Sequence, residues 1–510
     1  RIPMNPNRVK WTAAIVDRGK GNRAAAIFQE HGHSILLIAR GHGTASSAVM
    51  DCLGLDEPEK DLVLGIASAP DSHQLMDALK HEMEFHKPGH GIAFSIPLSG
   101  ISIAASGRLK DWDAGQHPHH TASSKEEIHM SEHKDYELIA TVIHTDLSIP
   151  VMQALIQRSG VDPALIDDVI WGCNYQRTYL ENNLARVAAI KAGLPDTVPG
   201  ITVHRNCTSS MSSIQLGFYQ IMAGEAKCIM AGGADCMSAA PFMVFDARYG
   251  KKYGHMELRD SMWDSLTNLG VGPSMGITAE NVADAYGVTR EDMDQYALRS
   301  QQRAAAAIDA GKFEEEIIPI TVHGKRENTV ITTDEHVRRD TTLEKLAKLK
   351  PTFTAAGRVT AGNASGMNDA SSGVLLMEEE LSKKLGLPIL ARVVAVATTG
   401  VSPDLMGIGP ISATQKVLEK AGLTVSDIDL FEINEAFAAQ CVACQRTLGI
   451  DEDKLNVNGG GISLGHPVGA TGSRLVVTLL YELKRRGGKY GLATLCAGGG
   501  MGTAVLIKMA

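Results

Sequence analysis

Two cysteines stand where a thiol could react. Cys207 lies in VHRNCTSSMSSIQLGFYQIM, where an apolar strand or loop gives way to a helical pattern. A sulfur at or just before a helix N-terminus meets unpaired N–H groups and the positive end of the helix dipole, and both lower a thiol pKa. Thr208, Ser209 and Ser210 leave room there for a carbonyl group and can cap the helix. The competing reading is a buried, inert cysteine, and it suits Cys228 and Cys236 in the apolar run that follows. Cys496 lies in LATLCAGGGMGTAVLI, a strand entering a glycine turn and then a second strand. Backbone N–H groups of such a turn can converge on an oxyanion, but a small core residue before a turn has the same appearance.

A base and a polar partner stand nearby in the chain. His466 sits in VNGGGISLGHPVGATG. Glycine permits unusual dihedrals and the close approach of a bulky ligand, so the imidazole is either aimed at something or carried by a tight turn. Asn434, in FEINEAFAAQ, falls at a strand-to-helix transition where an N-cap role explains it without catalysis. Glu435 beside it fits dipole compensation in a first helical turn. Cys441 and Cys444 have the CxxC spacing of a redox or zinc pair, yet no second pair or histidine partner accompanies them, and they continue an inward-facing helix.

The elements that must carry these groups form an α/β chain with an internal repeat. ALIQRSGVDPALIDDVIWG and VLEKAGLTVSDIDLFEINE share one plan: helix, glycine stop, short acidic turn, hydrophobic strand. Two copies of one β/α half imply a duplicated core, and residues 238–368, richer in Met and charge, are an insertion between them. The front of the chain has a different order. VKWTAAIV, SILLIARG, DLVLGIAS and GIAFSIPL alternate as strands with GNRAAAIFQEHG and SHQLMDALKHEM as helices, the βαββαβ order of a ferredoxin-like unit. Residues 110–135 are polar and His-rich. His117, His119, His120, His129 and His133 sit on no fixed scaffold there, which favours a solvated linker over a metal site.

Composition excludes several classes of function. The chain of 510 residues is too long for one core, and 44% apolar residues leave ample material for several. A net charge of -9 argues against a general nucleic-acid or anionic-membrane surface, while a local polyphosphate site needs only a few basic groups. No apolar run reaches the length of a membrane span, and eight scattered cysteines suit a reducing compartment, so a cytoplasmic protein is expected.

The chain order NCTSS, NEAF, GGGISLGHPVGATG, CAGGGMG resembles the thiolase family from about Ile149 to the C-terminus. MGITAENVADAYGVTREDMDQYALRSQQ, VTAGNASGMNDASS and MGIGP extend the resemblance. It implies a layered α-β-α-β-α core, and a transferase interconverting 3-oxoacyl-CoA plus CoA with acyl-CoA plus acetyl-CoA, as in fatty acid metabolism. Cys207 would be the nucleophile, Cys496 the acid/base at the α-carbon, and His466 the activator of Cys207 and a donor to the enolate oxygen. Asn434 would hold a water as second donor, and the N–H groups of Cys207 and Gly498 would frame the thioester carbonyl. CoA contacts would fall to Arg338, Phe353, Ser365, Met406 and Phe437. CoA is then a substrate, with no metal and no tightly bound cofactor, in a homodimer or homotetramer. A decarboxylating condensing enzyme usually pairs its cysteine with two histidines, which this set does not.

Two departures accompany the resemblance. Ser274 stands where many acetoacetyl members have His, and DSMWDSLTN leans toward the broader 3-ketoacyl-CoA thiolases. The family's opening strand and Arg-Thr-Pro-like turn have no counterpart here. Residues from Val9 to Leu147 instead resemble a P-II-like nitrogen-regulator unit whose second copy breaks off, with YELIATVI able to stand in for the lost strand. The expected domains are 8–109 ferredoxin-like, 110–135 linker, 136–148 junction, 149–237 and 369–388 the first half, 238–368 the CoA-covering loop domain, and 389–510 the second half. The alternative to an enzyme is an inactive or regulatory fusion in which the front unit senses a nucleotide or metabolite.

Overall fold

The computed structural model describes residues 9–17, 19–31, 35–42, 59–85, 92–97, 144–177, 181–245, 247–250, 253, 255–323 and 328–510. The linker histidines and YELIATVI lie outside these residues. The chain divides into two compact units, residues 1–133 and 134–510.

In the first unit, β1 (Val9–Asp17), β2 (Ile35–His42), β3 (Glu59–Ser68) and β4 (Ile92–Pro97) form a four-stranded antiparallel sheet in the order β2-β3-β1-β4. Helices Gly21–Glu30 and Ala69–Glu82 bring Phe28, Ile27, Leu75 and Leu79 onto Ala14, Val16 and Val63 of the sheet. The GKG turn between β1 and the first helix raises the question of a phosphate site. Its N–H groups are already taken: Gly19 and Gly21 both donate to Asp61 Oδ2, at 2.8 and 3.1 Å. A carboxylate of the chain itself thus occupies this helix N-terminus, while Lys20 turns outward to Asp17.

The second unit holds two four-stranded sheets. The first contains β5 (Asp168–Gly172), β6 (Gly200–Val203), β7 (Cys228–Cys236) and β12 (Asp369–Met377) in the order β12-β7-β5-β6. The second contains β13 (Ala391–Gly400), β14 (Leu430–Ile433), β15 (Tyr490–Ala497) and β16 (Met501–Met509) in the order β13-β16-β15-β14. Helices Ser209–Met222 and Thr471–Arg486 lie between the sheets and touch both. Helices His144–Ser159 and Leu184–Ala192 cover the outer face of the first sheet, and Gly409–Ala421 packs on the second. Strands covered on both faces read as continuous apolar runs, as CIMAGGADC and GLATLCA do.

Between β7 and β12 the insertion contributes the hairpin β8 (Phe242–Val244) and β9 (Leu258–Asp260), helix Ser261–Thr267, helices Met275–Ala285 and Arg290–Asp309, the hairpin β10 (Ile320–His323) and β11 (Asn328–Ile331), and a short helix Leu343–Ala347. Thr289 and Asp292 close a reciprocal capping box at the start of the longest of these helices. No helix among the described residues is long and apolar enough to cross a membrane.

Candidate active site

Cys207 lies between β6 and the central helix Ser209–Met222, whose N-cap is Thr208. Asn206 before it has φ 46°, a left-handed conformation that a short polar side chain tolerates. The carbonyl of Asn206 accepts from Ser209 Oγ at 2.6 Å, and its Nδ2 donates to the Gly498 carbonyl at 2.7 Å. The turn that carries Cys207 is therefore tied to the turn that follows Cys496. The cavity beside the sulfur is lined by Tyr175, Leu266, Leu269, Met275, Val468 and Gly498.

The helix start does not leave Cys207 a resting thiolate. Although the residue keeps partial exposure, burial of its sulfur pushes the thiol up to about 11, against the opposing pull of the Gly498 and Cys207 backbone N–H groups. That corrects the expectation from the dipole alone, since desolvation of the charged form outweighs it. Cys496, at the end of β15, is fully buried, and burial followed by the nearness of Cys207 pushes its thiol well above the ordinary range. Neither sulfur is ionised at neutral pH without a base.

His466 is the residue we assign as that base. It is buried, and burial followed by the charge of Arg474 pushes its pKa down to about 4, with Asp235 acting in the other direction. The imidazole is thus neutral at pH 7, and its tautomer follows from its neighbour. Thr471 Oγ1 donates its single hydrogen to the Pro467 carbonyl at 2.9 Å, so at 2.7 Å it accepts from His466 Nδ1–H. Nε2 is left with a lone pair, able to take a proton. Asn434 Nδ2 lies 3.4 Å from Nε2, and Asn434 Oδ1 is buried with no hydrogen-bond partner among the described residues. An orphaned buried carbonyl oxygen is a fitting anchor for a water.

The glycines around His466 are required by the chain's own packing. The loop is buried in the protein, and its glycines make room for the chain's own carboxylates and amides. A Cβ at Gly460 would fall 2.5 Å from the Glu435 carboxyl carbon, and Gly465, at φ 95°, abuts the Asn368 side chain. Glu435 is a brace rather than dipole compensation. Its carboxylate accepts from Tyr296 Oη, Ser300 Oγ, Asn456 Nδ2 and the Ile462 N–H, at 3.2, 2.6, 3.0 and 3.1 Å. Cys441 and Cys444 are free, buried thiols on helix Ala438–Leu448, and Cys441 Sγ donates to the Asn434 carbonyl.

The other sequence-predicted contacts spread over one wall and its surroundings. Phe353 meets Phe437 edge-on at 6.4 Å, Ala364 pairs with Phe437, and the Ser365 N–H donates to the Ala436 carbonyl at 3.0 Å. Arg338 is exposed, its backbone N–H on Gln301 Oε1. Met406 is 2% exposed and belongs to the hydrophobic core beneath the wall. Asn206, Thr471, Tyr175 and Asp235 are missing from the sequence reading. Thr471 alone had a usable signal, standing one helical turn beyond the HP dipeptide.

Residues 132–380 match the thiolase N-terminal domain and residues 387–509 the thiolase C-terminal domain. The chain belongs to the thiolase family. It is an acyltransferase with CoA-dependent thiolase activity. The acetyl-CoA acetyltransferase of Syntrophomonas wolfei is 49% identical over 363 residues, covering 70% of this chain and 91% of that protein. That of Pseudomonas aeruginosa is 48% identical over 375 residues, 72% of this chain and 94% of the relative. Among solved structures, Bacillus anthracis acetyl-CoA acetyltransferase superposes with TM-score 0.71 at 48% identity over 72% of this chain and 93% of that one. Human mitochondrial 3-ketoacyl-CoA thiolase in complex with CoA gives 0.70 at 44% identity, covering 72% and 92%.

Proposed function

We propose that this thiolase cleaves 3-oxoacyl-CoA with CoA, giving acetyl-CoA and a shortened acyl-CoA, through a thioester on Cys207. The carrying observation is the neutral His466 with its Nδ1 proton committed to Thr471. Nε2 accepts the Cys207 proton, and the sulfur attacks the 3-oxo carbon. The bond between the α- and β-carbons breaks, and its electron pair forms the enolate of acetyl-CoA. His466 is then an imidazolium whose Nε2–H faces the enolate oxygen, with a water on Asn434 as the second donor. Cys496 gives its proton to the enolate carbon. It then takes the proton of the incoming CoA thiol, whose sulfur attacks the acyl group and releases Cys207, which recovers its proton from His466. The N–H groups of Gly498 and Cys207 receive the charge on the thioester oxygen.

The Phe353, Ser365, Phe437 wall supports a pantetheine channel, with Arg338 at its exposed end for the nucleotide phosphates and Met406 as its buried floor. CoA acts as substrate. A homo-oligomer in the cytoplasm is the setting we assign it. The β2-β3-β1-β4 order supports reading residues 8–109 as an accessory ferredoxin-like unit of P-II type. Thiolysis of acetoacetyl-CoA and of a longer 3-oxoacyl-CoA, beside Cys207→Ala, tests the proposal. Turnover lost in the variant supports it, and turnover retained there sinks it.

A further inference from the structure

Behind the residues assigned to the substrate lies a buried cluster that the mechanism does not use: His144, Cys173, Glu181 and Asp235. His144 opens helix His144–Ser159 and is 1% exposed. Its Nδ1 lies 3.1 Å from Glu181 Oε2, while Glu181 Oε1 accepts from the N–H and hydroxyl of Thr145 at 2.7 and 2.9 Å. Among the described residues its Nε2 has no hydrogen-bond partner, and it faces Asp235 Oδ1 at 3.6 Å, an ion-pair distance. Asp235, near the end of β7, is fully buried. Its Oδ1 accepts from the N–H groups of Asn174 and Tyr175 at 2.9 and 3.0 Å and from the Cys173 thiol at 3.5 Å. Its Oδ2 accepts from the Gly469 N–H, in the turn between His466 and Thr471.

One carboxylate thus joins three pieces of chain far apart in sequence. These are the helix start at His144, the Cys173–Tyr175 segment that lines the acyl cavity, and the turn that holds the base. A buried carboxylate persists only where donors or a cation replace its lost hydration. Here three backbone N–H groups do so together with His144. We propose that Asp235, with His144 as its buried cationic partner, is a positioning residue that sets His466 against the acyl cavity, an inference that rests on the thiolase reading above.

The charge state of His144 agrees. Burial alone lowers its pKa, but the Asp235 carboxylate facing Nε2 and the hydrogen bond and charge of Glu181 outweigh this and hold it at about 9. The Cys173 thiol, pushed up mainly by burial and then by Asp235, stays neutral beside it. His144 Nε2, Cys173 Sγ and an Asp235 oxygen lie within 4.8 Å of one another, a spacing that could also hold a metal ion. Asp235 Oδ1 already has three donors, and a proton on Nε2 supplies the same charge, so we favour the imidazolium.

The test compares full-length wild type with Asp235→Asn, Asp235→Glu and His144→Gln. It reads kcat and KM for CoA from about pH 6 to about pH 10, and the metal content of each protein. Expected is a kcat loss of ~10- to 100-fold in D235N with KM within about threefold, and partial recovery in D235E. Wild-type kcat falls as pH rises through about 9, where His144 loses its proton, and H144Q has a low kcat without that fall. A D235N kcat within about twofold of wild type overturns the proposal. So does an unchanged alkaline fall in H144Q, or stoichiometric metal in wild type that H144Q lacks. If D235N does not fold, the H144Q profile decides. If wild type shows no thiolysis, the functional reading fails separately. Alkylation of Cys207 by iodoacetamide then judges the brace: slower in D235N supports it, unchanged rejects it.

Discussion

In the C-terminal half of the core, β16 lies between β13 and β15 and is buried from Gly502 to Ile507. Its counterpart β12 pairs only with β7 among the described residues, and every position from Ala370 to Met377 keeps partial exposure. The two halves share a plan, each ending on a strand antiparallel to its neighbour, but among the described residues only the second has a strand on the far side. The groups we assign to the reaction are divided just as unevenly. The first half supplies Cys207, and the second supplies Asn434, His466, Cys496 and Gly498. Cys207 and His466 come from turns that lead into the two central helices, Cys496 and Gly498 from the end of β15, and Asn434 from the turn that follows β14.

The largest effect should come from removing the single group that the first half provides. Cys207→Ala is expected to lower kcat for thiolysis by at least ~10⁴-fold in a steady-state assay. Replacing His466 with Asn, on the side of the second half, should cost ~10²- to 10³-fold. In the wild type His466 must be neutral to accept a proton, so kcat/KM should fall on the acid side as pH drops toward about 4. An acid limb centred near pH 6.5, the ordinary histidine value, contradicts the buried neutral imidazole.

Smaller effects separate the sheets themselves. Leu506→Ala, at a fully buried position of β16, should destabilise the second unit by about 2–5 kcal/mol in urea unfolding followed by a probe in that unit. Leu376→Ala in β12, already partly exposed, should cost about 1 kcal/mol. Equal losses would remove the distinction between edge and interior strand. Hydrogen exchange gives the finest test. The β12 amides that do not bond to β7 should exchange far faster than β16 amides, which are flanked on both sides. Uniform protection along β12 means that another strand covers it.

The repeat of ALIQRSGVDPALIDDVIWG in VLEKAGLTVSDIDLFEINE was enough to read two α/β halves, because helix period and strand runs are local properties. The residues we assign to the reaction stand out in the sequence for a similar reason, each lying in a short turn of unusual composition. What escaped depends on contacts distant in sequence. Nothing near Asp235 announces that Gly469 and His144 meet it, and nothing near Glu435 points to Tyr296 and Ser300. The glycines near His466 invited a reading as ligand space because the sequence does not reveal which side chains press on them. The expected thiolate at Cys207 failed similarly, since a helix N-terminus is visible in sequence and the desolvation of a sulfur is not.

The four donors gathered on Glu435 have one further consequence. Tyr296 and Ser300 belong to the long helix of the insertion, and Asn456 and Ile462 to the loop that carries the base. Helix and loop are thus joined at one buried side chain, and that helix cannot swing clear without taking two of the four donors from it.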